Sequence, residues 1–265
     1  MTLEKSGSVS ATRAFHKYVV VFGSCCTADA IRTKNLEEVH GAKLRLLSYH
    51  GRTAPVSILT GNLKPDEFIY TEECGKAVGT NWGLSMVKDE LEKQHYNRLV
   101  QIMSMSDALL MDTVSAFTFP YLITGSDNRC FLRSKEWERY VELRIRCGQK
   151  WLWEFPMELS VTALRTVLES LYAQQPNLRL LFHFPRPCFN DGVTFEDPQL
   201  TTNVDYYHRY NERLYDEAAR AFPRVSVIAC GGERADPLHY NYPFPFHYDE
   251  SYVNALRLEI ERLLA

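Results

Sequence analysis

Five short apolar runs punctuate the chain: YVVVF at 18–22, LRLLSY at 44–49, ALLM at 108–111, LRLLFHF at 178–184 and VSVIA at 225–229. Their apolarity is continuous rather than alternating, which predicts strands buried on both faces, as in a parallel sheet. Between them the spacing turns helical, over 26–38, 84–105, 135–175 with an interruption at Pro156, 205–221, and from 249 to the end. The aromatic stretch KEWERYVELRIRCGQKWLWEF (135–155) reads as a helix covering the sheet, its aromatic residues serving core packing rather than a carbohydrate platform. Strands alternating with helices predict an α/β fold, a three-layer α/β/α sandwich around a five-stranded parallel sheet of the doubly wound, flavodoxin-like kind. Two Gly/Pro-punctuated stretches, 60–83 and 185–204, are long enough to be lids or binding loops.

Composition narrows the classes. With 265 residues and 45% hydrophobic content the chain can bury a substantial core. We read residues 1–16 as a flexible N-terminus and 17–265 as one domain. The 30 basic and 33 acidic residues nearly cancel, and no Lys/Arg block tracks a phosphate backbone, so nucleic acid is not an expected partner. The first residues contain no apolar signal core and no later segment reaches membrane-spanning length, which predicts a cytoplasmic protein without a membrane partner. Seven cysteines, an odd number without a Cys-x-x-Cys pair, argue against a disulfide framework and a zinc ribbon. The eight histidines include no His-x-x-x-His pair with an intervening acid, and no metal is expected. Oligomeric state is not legible.

In a doubly wound sheet the ligand lies beyond the carboxyl ends of the strands. The residues there are Gly23-Ser24-Cys25, His50-Gly51-Arg52, Asp112-Thr113, His183 with Arg186, and the segment from Asp236 to His247. The first group is the most telling, because a strand leaving through Gly-Ser-Cys-Cys into a helix places a thiol where unpaired N–H groups favour the thiolate. The competing reading makes Cys25 and Cys26 small apolar residues that pack the corner.

The stretch GSCCTADA resembles the first block of the SGNH, or GDSL-type, hydrolase superfamily, in which a Gly-Asp-Ser turn carries the nucleophilic serine. Laid on that block, Gly23 matches the glycine, Ser24 the aspartate position and Cys25 the nucleophile. The chain more closely resembles a branch whose first block reads Gly-Ser-Cys and which is often associated with capsule or surface-polysaccharide genes. YHGRT, SMVKDEL, LLMD and above all ADPLHYNYPFPFHYDESY extend the similarity to the last helix, and the last of these stands where the superfamily has its final Asp-x-x-His block. Three departures accompany it: Ser24-Cys25 replaces Asp-Ser, no Gly-x-Asn follows the third strand, and AFTF stands after Asp112 where an acidic-basic pair is expected.

The resemblance implies a Cys-His-Asp site with Cys25 as nucleophile, and two histidines compete as its base. Asp236-x-x-His239 supplies a carboxylate and an imidazole from one loop, which ranks His239 slightly ahead of His247, the residue just before the last helix. Oxyanion donors are expected at the backbone of Cys25 and Gly51, with Gly23 and Ser24 shaping the turn and contacting substrate. Arg52 reads either as a fork for a substrate anion or as a salt-bridge partner. Asp112 reads as an orienting or hydroxyl-binding carboxylate or as an ordinary helix cap. His183 reads as a buried, hydrogen-bonded histidine or, from its strand-end place, as a substrate contact. The implied activity is acyl transfer through a cysteine acyl-thioenzyme to a hydroxyl or amine of a small molecule or saccharide. An esterase or deacylase, or a silent binding module, are the alternatives. No cofactor is required, and an acyl-thioester, on coenzyme A or a carrier protein, is the co-substrate this reading admits.

Overall fold

The apolar runs become the strands they predict. The computed structural model describes residues 16–32, 44–58, 60–76, 82–189, 201–228, 230–238 and 244–265. In chain order the strands are β1 (Lys17–Gly23), β2 (Leu44–Gly51), β3 (Phe68–Tyr70), β4 (Ala108–Met111), β5 (Tyr121–Thr124), β6 (Cys130–Leu132), β7 (Val141–Leu143), β8 (Cys147–Lys150), β9 (Arg179–His183) and β10 (Val225–Ile228). The helices are α1 (Cys25–Ala28), α2 (Pro55–Ile58), α3 (Glu72–Lys76), α4 (Trp82–Leu91), α5 (Gln94–Met103), α6 (Val114–Thr118), α7 (Lys135–Tyr140), α8 (Met157–Gln174), α9 (Val204–Ala221) and α10 (Glu250–Leu264).

Five strands form one parallel sheet in the order β2-β1-β4-β9-β10, flanked by helices. Val19 to Gly23 on β1 and all of β4 are buried, as central strands must be, and the two edge strands are only partly covered. Each fully buried Val or Leu in this layer contributes about 1.5–3 kcal/mol of transfer free energy. Registers Gly23↔Gly51, Phe22↔Met111 and Met111↔Phe182 align the carboxyl ends of four strands, so the residues after them meet at one edge. From β1 the chain first adds β2 on one side and later β4, β9 and β10 on the other. The strand order therefore reverses between β1 and β4, and the crevice at their carboxyl ends is the place such sheets offer a ligand.

The stretch 135–155 departs from its predicted helix. The α-helix there is confined to α7, capped by Ser134, whose Oγ accepts from Trp137 N–H; the chain then becomes β7 and β8 and ends in a 3-10 turn at Leu152–Glu154. Val141, Leu143, Ile145 and Cys147 alternate with Glu142, Arg144 and Arg146, a period of two that the overlapping helical spacing of Trp137, Tyr140 and Val141 obscures. β7 pairs with β3, and β8 with β5, which also pairs β6; all three pairings are antiparallel. Leu84, Val87, Leu91, Phe131, Trp137 and Tyr140 pack there as a second apolar cluster beside the main core.

The helix expected over 84–105 is two, α4 and α5, because Lys93 adopts a left-handed conformation at φ 54° between them. The expected loop 60–83 contains β3 and α3. In the other, Cys188 N–H donates to Pro245 O at 2.7 Å and Tyr248 Oη to Arg186 O at 2.8 Å, which ties residues 186–188 to the segment carrying His247. Residues 1–15, 33–38 of the first expected helix and 190–200 lie outside the described residues. Among the described residues no helix is long and apolar enough to cross a membrane.

Candidate active site

The corner after β1 is built around a carboxylate. Asp112, 3% exposed at the end of β4, accepts from both the N–H and the Oγ of Ser24 at 2.9 Å, and from Val114 N–H at 3.0 Å. It lies so close to Gly23 that a Cβ there would stand 2.5 Å from its carboxyl carbon, and Gly23 has φ +155°, a conformation side chains disfavour. Glycine is thus required by contact with a buried acid. Ser115 Oγ donates to Gly23 O at 3.1 Å and holds the turn from its other side. Asp112 binds a hydroxyl, as one of its sequence readings has it, whereas the N-cap place of α6 belongs to Thr113, one residue on, and of that helix Asp112 takes only the N–H of Val114. That hydroxyl belongs to Ser24, so the expectation that Ser24 contacts substrate is corrected: both its donors are spent on Asp112, and it is 5% exposed. Burial pushes the Asp112 carboxyl above its ordinary pKa, opposed by hydrogen bonds from Thr27, Ser24 and Val114.

This turn delivers Cys25, half-buried at the start of α1, to His247. Sγ and Nε2 are 3.1 Å apart, across 222 residues of sequence. His247 is 1% exposed and held through its backbone: its N–H donates to Phe244 O at 2.9 Å, and its carbonyl accepts from Asp236 N–H at 2.8 Å. Its ring meets the Phe244 ring edge-on at 5.2 Å. Two residues later Asp249 caps α10 by accepting from Tyr252 N–H at 3.0 Å, which sets where the helix starts and so where the histidine sits. The Cys25 thiol lies well below its ordinary pKa. A hydrogen bond from Cys26 contributes most, followed by the hydrogen bond and charge of His247 and the charge of Arg52, while burial opposes them. Burial pushes the neighbouring Cys26 thiol well above its ordinary value, and its bond to Cys25 adds to this.

His183 belongs to a second chain of polar groups behind the corner. Its Nδ1 lies 2.7 Å from Thr27 Oγ1 and its Nε2 2.9 Å from Tyr252 Oη. With Asp112 ionised and accepting from Thr27, the order of donors is Tyr252 Oη–H to Nε2, Nδ1–H to Thr27 Oγ1, and Thr27 Oγ1–H to the carboxylate. Burial pushes His183 down to about 3, which keeps it neutral. It is the buried, hydrogen-bonded histidine of the first sequence reading, and at 1% exposure it has no surface for a substrate, which corrects the second.

Arg52 follows β2 in a left-handed conformation at φ 58°. Its guanidinium lies over the Phe119 ring at 4.8 Å and is 3.4 Å from Glu136, so the salt-bridge reading holds. Its positive charge also reaches Cys25, lowering the thiol. Gly51, paired with Gly23 in the register, brings its backbone to the same edge. Beside it Tyr49 and Trp82 stack with ring centroids 5.6 Å apart.

Of the residues the sequence singled out, the structure gathers Gly23, Ser24, Cys25, Asp112 and His247, with Arg52 and Gly51 at the rim. His239 lies outside the described residues, and the Asp236 carboxylate accepts from Leu238 N–H at 2.8 Å. Thr27, Cys26 and Tyr252 were not singled out for these contacts, although GSCCTADA and YDESY contain them. Their signal is positional: they follow a corner and a cap by one turn or less. All seven cysteines are thiols. Cys25, Cys26 and His247 also form a group able to hold a metal ion, their ligating atoms within 4.8 Å of one another. A cavity of about 690 Å³ bordered by Val56, Ile123, Phe155, Pro156 and Leu159 shares no residue with this site.

No protein-family model matches the chain, and no curated protein matches it significantly. Among solved structures it is similar to a GDSL-like lipase from Bacteroides thetaiotaomicron, with 8% identity, a TM-score of 0.47, and coverage of 94% of this chain and 87% of the other. It is similar to an acetyl xylan esterase from the rumen bacterium Butyrivibrio proteoclasticus at 12% identity and TM-score 0.41, covering 94% of this chain and 63% of that one. A family two carbohydrate esterase from Clostridium thermocellum, solved in complex with cellohexaose, gives 10% identity and TM-score 0.40, with 97% and 65% covered. The chain spans less than two thirds of the length of these two esterases. At such identities the likeness is one of fold alone.

Proposed function

We propose that the protein is an acyl-transfer enzyme in which Cys25 is the nucleophile and His247 its acid–base partner. The observation that carries this reading is the 3.1 Å approach of Sγ to Nε2 at the switch point of the sheet, from opposite ends of the chain. Of the pair, Cys25 is the half-buried residue and His247 the enclosed one, so a substrate would approach from the Cys25 side.

In the first half-reaction the Cys25 sulfur attacks the carbonyl carbon of an acyl-thioester or ester, and the tetrahedral oxyanion collapses with loss of the donor thiolate or alkoxide. The imidazolium of His247 gives that leaving group its proton. In the second, neutral His247 takes the proton of an acceptor hydroxyl or amine as its oxygen or nitrogen attacks the acyl-thioenzyme, and the Cys25 sulfur leaves. Backbone N–H groups at Cys25 and Gly51 are the candidate oxyanion donors, and the Arg52 guanidinium a contact for an anionic part of donor or acceptor. The acceptor class is a hydroxyl or amine on a small molecule or saccharide; with water as acceptor the same site is an esterase.

Intact-mass measurement after incubation with acyl-coenzyme A or an activated ester tests it. One added acyl group, localised to the peptide containing Cys25, is expected, together with faster decay of the adduct when acceptor hydroxyls or amines are present. Decay that no acceptor accelerates assigns hydrolysis. No adduct with either donor class overturns the reading and leaves a binding module.

A further inference from the structure

The two thiols and the imidazole at this corner do more than place a nucleophile beside a base. Cys25 Sγ, Cys26 Sγ and His247 Nε2 lie mutually within 4.8 Å, and two of them are already 3.1 Å apart. A tetrahedral zinc centre, about 2.3 Å from sulfur and about 2.1 Å from nitrogen, sets its ligand atoms about 3.4–3.8 Å apart. The group reaches that spacing by closing its widest pair by about 1 Å and opening the closest by a few tenths, within the reach of χ1 adjustments. Two sulfurs and one imidazole suit borderline and soft ions and disfavour magnesium or calcium, which take oxygen ligands. Cys26 and His247 are 3% and 1% exposed and Cys25 is half-buried, so two of the three ligands are enclosed and the third lies nearer solvent.

We propose that Cys25, Cys26 and His247 form a binding site for a zinc-class divalent ion, with a fourth position left to water. Binding releases roughly two protons per ion, whether they start on both thiols or on Cys26 and the imidazolium, because the bound form carries two thiolates and a neutral ring. The ion takes the lone pair that Cys25 would use as a nucleophile. On the acyl-transfer reading, metal and acyl donor therefore exclude each other; the binding itself does not depend on that reading.

Cobalt(II) substitutes for zinc and reports thiolate ligation by absorption, so the experiment is a titration of the reduced, chelator-stripped full chain with Co²⁺. A single saturating equivalent with a sulfur-to-cobalt charge-transfer band, bleached by Zn²⁺ and accompanied by release of roughly two protons, is expected. Cys26→Ser should lose about half of the band and at least tenfold in affinity, as one of two sulfur ligands is gone. In the unmutated protein, Zn²⁺ should protect Cys25 from iodoacetamide, chelator should restore labelling, and Mg²⁺ should do neither; this arm needs no variant to fold. Absence of the band, or a band unchanged in both Cys25→Ser and Cys26→Ser, overturns the site, the latter assigning the metal to other thiols. Acylation with no metal binding leaves the proposed function standing alone, and metal binding with no acylation does the reverse.

Discussion

Two buried polar clusters lie at or beside the carboxyl edge of the sheet, and they are put together in opposite ways. The first is the corner of Ser24, Cys25, Asp112 and His247. The second joins α4, α5 and β6: Glu90, 2% exposed, accepts from Lys93 Nζ at 3.0 Å, Leu132 N–H at 2.8 Å and Ser57 Oγ at 3.4 Å. Lys93 also donates to Cys130 O at 2.8 Å and lies over the Phe131 ring at 4.0 Å. Both clusters are costly to bury, and each repays the cost with hydrogen bonds. In the second cluster, charge meets opposite charge and the assembly closes on itself, welding the helix pair to the antiparallel strands. In the first, Ser24 and Asp112 close on each other while histidine and arginine act on the thiol of Cys25, a residue left half-buried. Enclosed partners around one half-buried residue set the first cluster apart from the weld.

Removing the Cys25 thiol should produce the largest effect. Cys25→Ala is expected to abolish acyl labelling, with unfolding free energy changed by less than about 1 kcal/mol in urea titration. His247→Ala should slow acylation by about 10²–10⁴-fold. With chelator present, it should also shift the pH profile of Cys25 alkylation upward, because the hydrogen bond and charge that favour the thiolate are lost. An unmoved profile would take His247 out of the mechanism.

The opposite pattern is expected at the weld. Glu90→Ala leaves Lys93 buried without its counter-charge and should cost about 3–5 kcal/mol of stability. Acylation per folded molecule should stay at the unmutated rate, and a loss of rate in fully folded protein would erase the contrast between the clusters.

Acid should strain both. Burial holds His50, His95 and His183 down to about 3 in the folded protein. Between about 6.5 and about 3 the unfolded chain therefore binds protons that the native state refuses, and stability falls as pH falls, by about 1.4 kcal/mol per pH unit for each histidine. His95 bears most on the comparison, since among the described residues neither of its ring nitrogens has a hydrogen-bond partner. His95→Phe should remove one proton from this slope without lowering stability at neutral pH. An unchanged slope would place His95 outside the weld.

Asp112→Asn should cost less than the break at Glu90, about 1–3 kcal/mol from the weakened bonds to Ser24 and Val114. Since Asp112 positions the turn, the pH profile of Cys25 alkylation should keep its midpoint while the rate falls. A moved midpoint would give the carboxylate a direct part in the proton chemistry.

What was legible along the chain followed from local pattern. Continuous apolar runs marked all five sheet strands, most plainly the central β1 and β4, whose burial on both faces leaves no polar alternation, and Gly23-Ser24-Cys25 after the first run announced a corner bearing a thiol. The break at Lys93 was not legible, because a left-handed lysine has no local signature and is held by Glu90 and the carbonyl of Cys130, 37 residues on. Nor were β7 and β8, where one sequence carries both a helical and a two-residue period and pairing with β3 and β5 decided between them. The sequence by itself thus determined the layers, the edge at which chemistry would sit, and the thiol. Only the tertiary structure shows His247 against that thiol, because the 3.1 Å contact depends on how β1, Asp249 and α10 converge across 222 residues, which no local spacing records.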